Sequence, residues 1–160
     1  MIRDSDMMKL ALAQAEKAGE EGEVPIGALL LTAEGDILSA AHNQTIGRSD
    51  PTAHAEILVL RDAARKLGNY RLLNTTLCVT IEPCLMCMGA IIHARVSKLV
   101  FGVKDPKWGA GGSLYDFPND PRLNHRVDVV HGVCEAECRG LIQNFFRARR
   151  KNIARNRIMP

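Results

Sequence analysis

The chain has 160 residues, 46% of them hydrophobic and 24% charged, with a net charge of +3 at pH 7. That length suits a single domain over residues 1–160 that buries roughly two-thirds of its unfolded surface, and the composition excludes disordered and fibrous classes. No apolar run approaches the ~20 residues of a membrane span, and the opening MIRDSDMMKLALAQAEKAGEEGE has acids where a signal peptide needs a basic start, so a cytoplasmic protein with no membrane partner is expected.

Met7, Leu10, Ala11, Ala15 and Ala18 recur at three- and four-residue steps, which predicts a first helix ending near Gly19 and Gly22. Val24 to Leu31 reads as a strand and Ile37 to Ala41 as its hairpin partner, because the turn residues EGD separate them. Asp50-Pro51-Thr52 is expected to open a helix running to about Leu67, before the turn at Gly68-Asn69. Thr76 to Ile81 is a short buried strand, Pro83 is placed for a first helical position ahead of Cys84 to Ala94, and Val96 to Val103 is a strand parallel to the one before. Lys104 to Asn124 is rich in glycine and proline without periodicity, a long loop of the kind that binds ligands. Val127 to Val130 is a last strand and Glu135 to Ile153 a terminal helix. The pattern predicts a three-layer α/β/α arrangement, a mixed sheet of about five strands with helices on both faces.

Five cysteines is an odd number, and in a reducing compartment thiols serve metals or catalysis more often than disulfides. Two of them, Cys84 and Cys87, follow Pro83 three residues apart, so on a helix they share a face near its positive end, which favours the thiolate that binds zinc. His54, in the segment TAHAE, adds a third ligand. Two thiolates and an imidazole leave one coordination position open to water, the arrangement of catalytic zinc. Glu56 is the nearby carboxylate that can move a proton from that water. On an ideal helix His54 and Glu56 stand about 200° apart, so both face one metal only if the first turn ends at the rim of the pocket.

The other signals have plainer readings. Cys78 lies within an apolar strand and reads as core. Cys134 and Cys138 could supply a fourth ligand to a structural zinc, but read more simply as two partly buried thiols. His93 suits the negative end of its helix. The tail is different: residues 139–160 carry seven Lys or Arg and no acid, against 14 basic and 18 acidic residues before them. Phe145 and Phe146 interleave with Arg139, Arg147, Arg149, Arg150, Lys151, Arg155 and Arg157, a composition that favours nucleic-acid contact over a merely solvated face.

HxE followed by PCxxC is the established signature of zinc-dependent base deaminases. EVPIGALL, HNQTIGRSDPTAHAEI, NYRLLNTTLCVTIEPCLMCMGAIIHAR, VFGVKDPKWGAGGSLYDF, NHRV and NFFRARR together resemble the bacterial tRNA-specific adenosine deaminases, in family order and over most of the chain. The resemblance implies a cytidine-deaminase-like fold and one zinc ion per subunit. It implies hydrolytic conversion of the wobble adenosine of an arginine tRNA to inosine, with release of ammonia. The expected partners are the tRNA anticodon arm and a second copy of the chain, as a homodimer. By motif, Asn43 would hydrogen-bond the flipped nucleotide. Asp105, Lys107 and Asn124 would line a groove for the anticodon loop, and Phe145, Phe146, Arg149 and Arg150 would contact flanking nucleotides. Met88 and Trp108 depart from the family pattern, where smaller residues are commoner. Two alternatives stay open: a deaminase of free bases or nucleosides, which the basic tail disfavours, and a zinc-stabilised RNA-binding subunit without catalysis, which has no use for Glu56.

Overall fold

Proline, glycine and alanine decide where the elements of this chain begin and how closely they pack. The structure, a computed structural model, describes residues 1–158. In chain order its elements are α1 (Asp4–Glu20), β1 (Gly27–Leu31), β2 (Ile37–His42), α2 (Ala55–Leu67), β3 (Thr76–Ile81), α3 (Leu85–His93), β4 (Lys98–Val103), β5 (Asp128–His131) and α4 (Glu135–Ile158). The strands form one mixed sheet in the order β2-β1-β3-β4-β5. β1 runs antiparallel to β2 and β3, while β3, β4 and β5 are mutually parallel.

Alternate side chains of a strand point to opposite faces, and here each face has its own core. Leu77, Val79, Leu99 and Phe101 pack under α2 and α3, with Val59, Leu60, Met88 and Ile91. Cys78 and Val100 point the other way, to Met7, Met8 and Ala11 of α1 and Cys138 of α4. This is the three-layer α/β/α arrangement read from the sequence. Within α1 the stripe is shifted from the expected one: Met8 is fully buried whereas Leu10 is 42% exposed. The alanines of α1 let it lie almost on β1, where a Cβ on Gly27 would run into the Ala11 carbonyl oxygen and the Ala15 nitrogen. Gly102 does the same for α4, leaving room for the Cys138 side chain.

Several element starts differ from the expectation, each for a local reason. β1 begins at Gly27, not Val24, because Pro25 has no N–H for the ladder. α2 begins at Ala55 and not at Asp50: the Asp50 carboxylate accepts hydrogen bonds from the Thr52 backbone N–H (2.8 Å) and hydroxyl (2.7 Å), a side-chain turn that competes with the helix. α3 begins at Leu85, with Cys84 as an extended N-cap and Pro83 outside the helix. β4 begins two residues later than expected and β5 is shifted by one. α4 continues to Ile158, beyond Ile153.

The connectivity brings four chain segments to one end of the sheet. β3 and β4 both end there, and antiparallel β1 begins and β2 ends at the same level. In sheets with parallel strands this carboxyl end is where ligands bind.

Candidate metal centre and active site

His54 and Cys84 occupy the N-cap positions of α2 and α3, in extended conformation, and neither side chain caps its helix. N-caps are usually Ser, Thr, Asp or Asn, which bond back to the helix; a histidine and a cysteine there leave their donor atoms free. The two helix N-termini converge, so the positive ends of both dipoles face the donors. Cys87 lies in the first turn of α3, fully buried. The extended N-cap also removes the angular conflict between His54 and Glu56, because only Glu56 is helical.

His54 Nδ1 lies 3.7 Å from Cys84 Sγ and 3.5 Å from Cys87 Sγ, and the three donor atoms are all within 4.8 Å of one another. Tetrahedral zinc, with Zn–S of about 2.3 Å and Zn–N of about 2.0–2.1 Å, separates its sulfur and nitrogen ligands by about 3.6 Å. The three residues therefore fit such an ion and form the group that could hold a metal among the described residues. Cys134 and Cys138 lie in the second core and do not join it. A hydrogen bond from Cys87, then one from His54, holds the Cys84 thiol down at about 4. The same contact with Cys84, together with burial, pushes Cys87 up, while the bond to Cys84 raises His54. The three donors crowd one another in a half-buried pocket, an arrangement that a cation would relieve.

Glu56 sits beside them, 2% exposed. Burial raises its carboxyl to about 7, and neighbouring His54 offsets part of that effect. Its Oε2 is buried without a hydrogen-bond partner among the described residues. An unsatisfied buried acceptor costs about 1–3 kcal/mol, so the group is held there against folding stability, as reactive groups are.

These residues open into a cavity of about 530 Å³, lined also by Val24, Ile26, Asn43, Asp105 and Trp108. Of the residues expected in the site, the structure brings His54, Cys84, Glu56, Asn43 and Asp105 to this cavity, with Cys87 behind. Lys107 is exposed on the loop beside it. Asn124 is not brought there: its Oδ1 accepts from Arg95 (2.9 Å), and the adjoining His125 bonds Val96 ahead of β4, at the far end of the sheet. Phe145, Phe146, Arg149 and Arg150 lie on α4 and do not line the cavity. The two rings meet edge to face with centroids 5.4 Å apart, and every described residue of α4 from Phe146 onward is exposed.

Two buried glutamates of the site escaped the sequence reading. Glu23 accepts from Ile46 N (3.2 Å), Gly47 N (2.8 Å) and the Thr45 hydroxyl (3.2 Å), fixing the loop that carries Asn43 and Pro51. Glu82 holds the opposite wall in the same manner, accepting from Asp105 N (2.9 Å), Gly111 N (3.0 Å) and Ser113 N (3.0 Å). Nothing in local sequence separates such acids from solvated ones. For Glu82 the only signal was its place beside Pro83-Cys84.

Comparison with known proteins now adds to this geometry. Residues 1–103 match the family model of the cytidine and deoxycytidylate deaminase zinc-binding region, and a guanine deaminase from Nitrosomonas europaea, at 23% identity, shares the fold with a TM-score of 0.78 over 91% of this chain and 85% of its own. Fold and site thus define a deaminase of the cytidine-deaminase-like class. The tRNA-specific adenosine deaminase of Haemophilus influenzae is 49% identical over 92% of this chain and 86% of its own length. That of Bacillus subtilis is 48% identical over 94% and 93%. A structure solved in work on A-to-I editing by tRNA:A34 deaminases at the wobble position superposes with a TM-score of 0.82, at 44% identity over 86% of this chain and 99% of that one. The chain belongs to the tRNA-specific adenosine deaminase family.

Proposed function

We propose that this enzyme deaminates the wobble adenosine in the anticodon of an arginine tRNA, taking up one water and releasing one ammonia to leave inosine. The observation that carries the reading is the unpartnered Oε2 of Glu56, buried against a His-Cys-Cys donor group at the floor of an open cavity. The ion we assign to that group is zinc. Held by His54, Cys84 and Cys87, zinc would supply a water acidic enough to lose a proton near neutral pH and so become the nucleophile. Two thiolates match its charge.

Glu56 is the proton carrier. It takes the first proton of the attacking water at its unpartnered oxygen and delivers it to N1 of adenine, so that C6 becomes electrophilic; it then takes the second from the hydroxyl formed at C6 and gives it to the amine, which departs as ammonia as the C6 carbonyl forms. Burial suits it to both halves of that cycle, since a carboxylate drawn toward neutrality gives and takes protons readily. Asn43, 6% exposed and lining the cavity, hydrogen-bonds the nucleotide that has been splayed out of its loop, and Asp105 shapes the opposite wall. Lys107, Arg149 and Arg150 meet phosphates, and Phe145 and Phe146 meet flanking bases.

A homodimer is the assembly we assign. It is supported by the apolar outer face where α2 meets α3, a depression lined by Leu60, Ala64, Tyr70 and Ala90. The setting is the cytoplasm, in keeping with five cysteines that are all unpaired; no described helix is long and apolar enough to cross a membrane.

Ammonia release from tRNA by the zinc-loaded protein tests the chemistry. The wild type releases one ammonia per tRNA molecule and Glu56→Gln releases none on the same timescale while retaining its metal. Undiminished release by Glu56→Gln would end this assignment.

A further inference from the structure

Trp108 is the single tryptophan of the chain, is 63% exposed and lines the cavity near Asp105 and Leu85. An isolated exposed hydrophobe is ordinary; what marks this one is the structure beneath it. Glu82, 2% exposed, accepts the backbone N–H groups of Asp105, Gly111 and Ser113, and the Ser113 hydroxyl. Asp105 Oδ1 in turn accepts from Lys107 N (3.0 Å) and Trp108 N (3.3 Å). The turn wraps the carboxylate so closely that a Cβ on Gly109 would collide with it and with the Asp105 carbonyl. Ala110 N donates to the Pro83 carbonyl (2.8 Å), and Gly109 pairs with Cys84 in an isolated antiparallel bridge. The indole is therefore carried by a loop locked to the segment that supplies a metal ligand. Lys104 and Lys107, both exposed, flank it.

We propose that Trp108 is a stacking platform for a base beside the target nucleotide, and that Glu82 is the positioning residue that fixes it. The proposal rests on the RNA reading of the site. Every base presents a π-face, and an aromatic side chain at the rim of a pocket takes the neighbour of a splayed nucleotide without needing to read its edge. The flanking lysines meet the phosphates on either side. The target base occupies the cavity, so the rim receives the next one along the strand.

A lone tryptophan makes its own probe. Glu56→Gln protein, which leaves substrate intact, is titrated with an anticodon stem-loop while Trp108 emission is followed; stacking quenches it. In wild-type background, Trp108→Ala raises KM for the stem-loop about 10-fold with kcat nearly held, and Trp108→Phe restores most of the loss. Glu82→Gln raises KM similarly at unchanged zinc content. Its amide cannot accept from Asp105 N and also from Gly111 N and Ser113 N, so collisional quenching of Trp108 in the free protein increases. RNA turnover with unaltered emission and a Trp108→Ala KM within twofold of wild type overturns the stacking. If Glu82→Gln moves neither KM nor Trp108 quenching, its positioning role is overturned. If no RNA is turned over at all, the RNA reading fails and the stacking falls with it.

Discussion

Glu56 and the three donors beside it define what single residues do in this fold. The Glu56 carboxylate is buried with an unpartnered oxygen, so replacing it should abolish function without loss of stability. Glu56→Gln is expected to lower turnover at least ~10²-fold, the scale of a lost general acid–base group, while its melting temperature equals or exceeds that of the wild type in thermal unfolding. A lower melting temperature would mean that Oε2 is bonded in the folded protein. Cys87→Ala removes one of three donors and is expected to leave less than about a tenth of the wild-type metal content by elemental analysis, because a two-donor site loses the closed arrangement zinc prefers. His54, Glu56, Cys84 and Cys87 were legible as chemistry because their types and spacing are unusual in a solvated or core segment. Glu23 and Glu82 were not. Their roles come from loop amides that fold back from 23 to 31 residues away, and no local pattern announces such a contact.

Helices and strands were legible from periodicity, but their starts were set by competing bonds. α2 and α3 each begin one residue after a member of the His-Cys-Cys group, which leaves both N-cap side chains free to hold a metal; a reading that extends the helix backward to Pro51 or Pro83 hides this. The close approaches at Gly27 and Gly102 were also hidden, since a glycine within a strand pattern reads as weakness until the helix lying on it is known. Gly102→Val puts branched carbon where the Cys138 side chain lies and is expected to destabilise the protein by at least about 1–3 kcal/mol, the cost of overpacking a filled core. Urea unfolding measures it, and a value near zero would show that α4 does not seat on β4 as described.

At the scale of the whole molecule, charge is divided unevenly along the chain. Residues 1–138 are acidic on balance and carry the cavity, whereas residues 139–160 are basic without an acid and, through Ile158, lie on the long exposed helix α4. The asymmetry was visible in the sequence, but not that α4 leaves its second half unpacked or that Asn124 lies at the far end of the sheet. If α4 holds RNA through phosphate contacts, replacing Arg149 and Arg150 together with alanine is expected to lower the slope of log KM against log salt by about 1.4, at about 0.7 for each contact to a single strand. Kinetics at several salt concentrations reads this directly, and an unchanged slope would leave the helix face simply solvated. The central claim is tested most directly by incubating the zinc-loaded protein with an arginine tRNA bearing adenosine at the wobble position, beside free adenosine, cytidine and guanine, and locating every conversion by mass. Inosine at the wobble position alone is the predicted result; turnover of a free base or nucleoside with the tRNA untouched would contradict it.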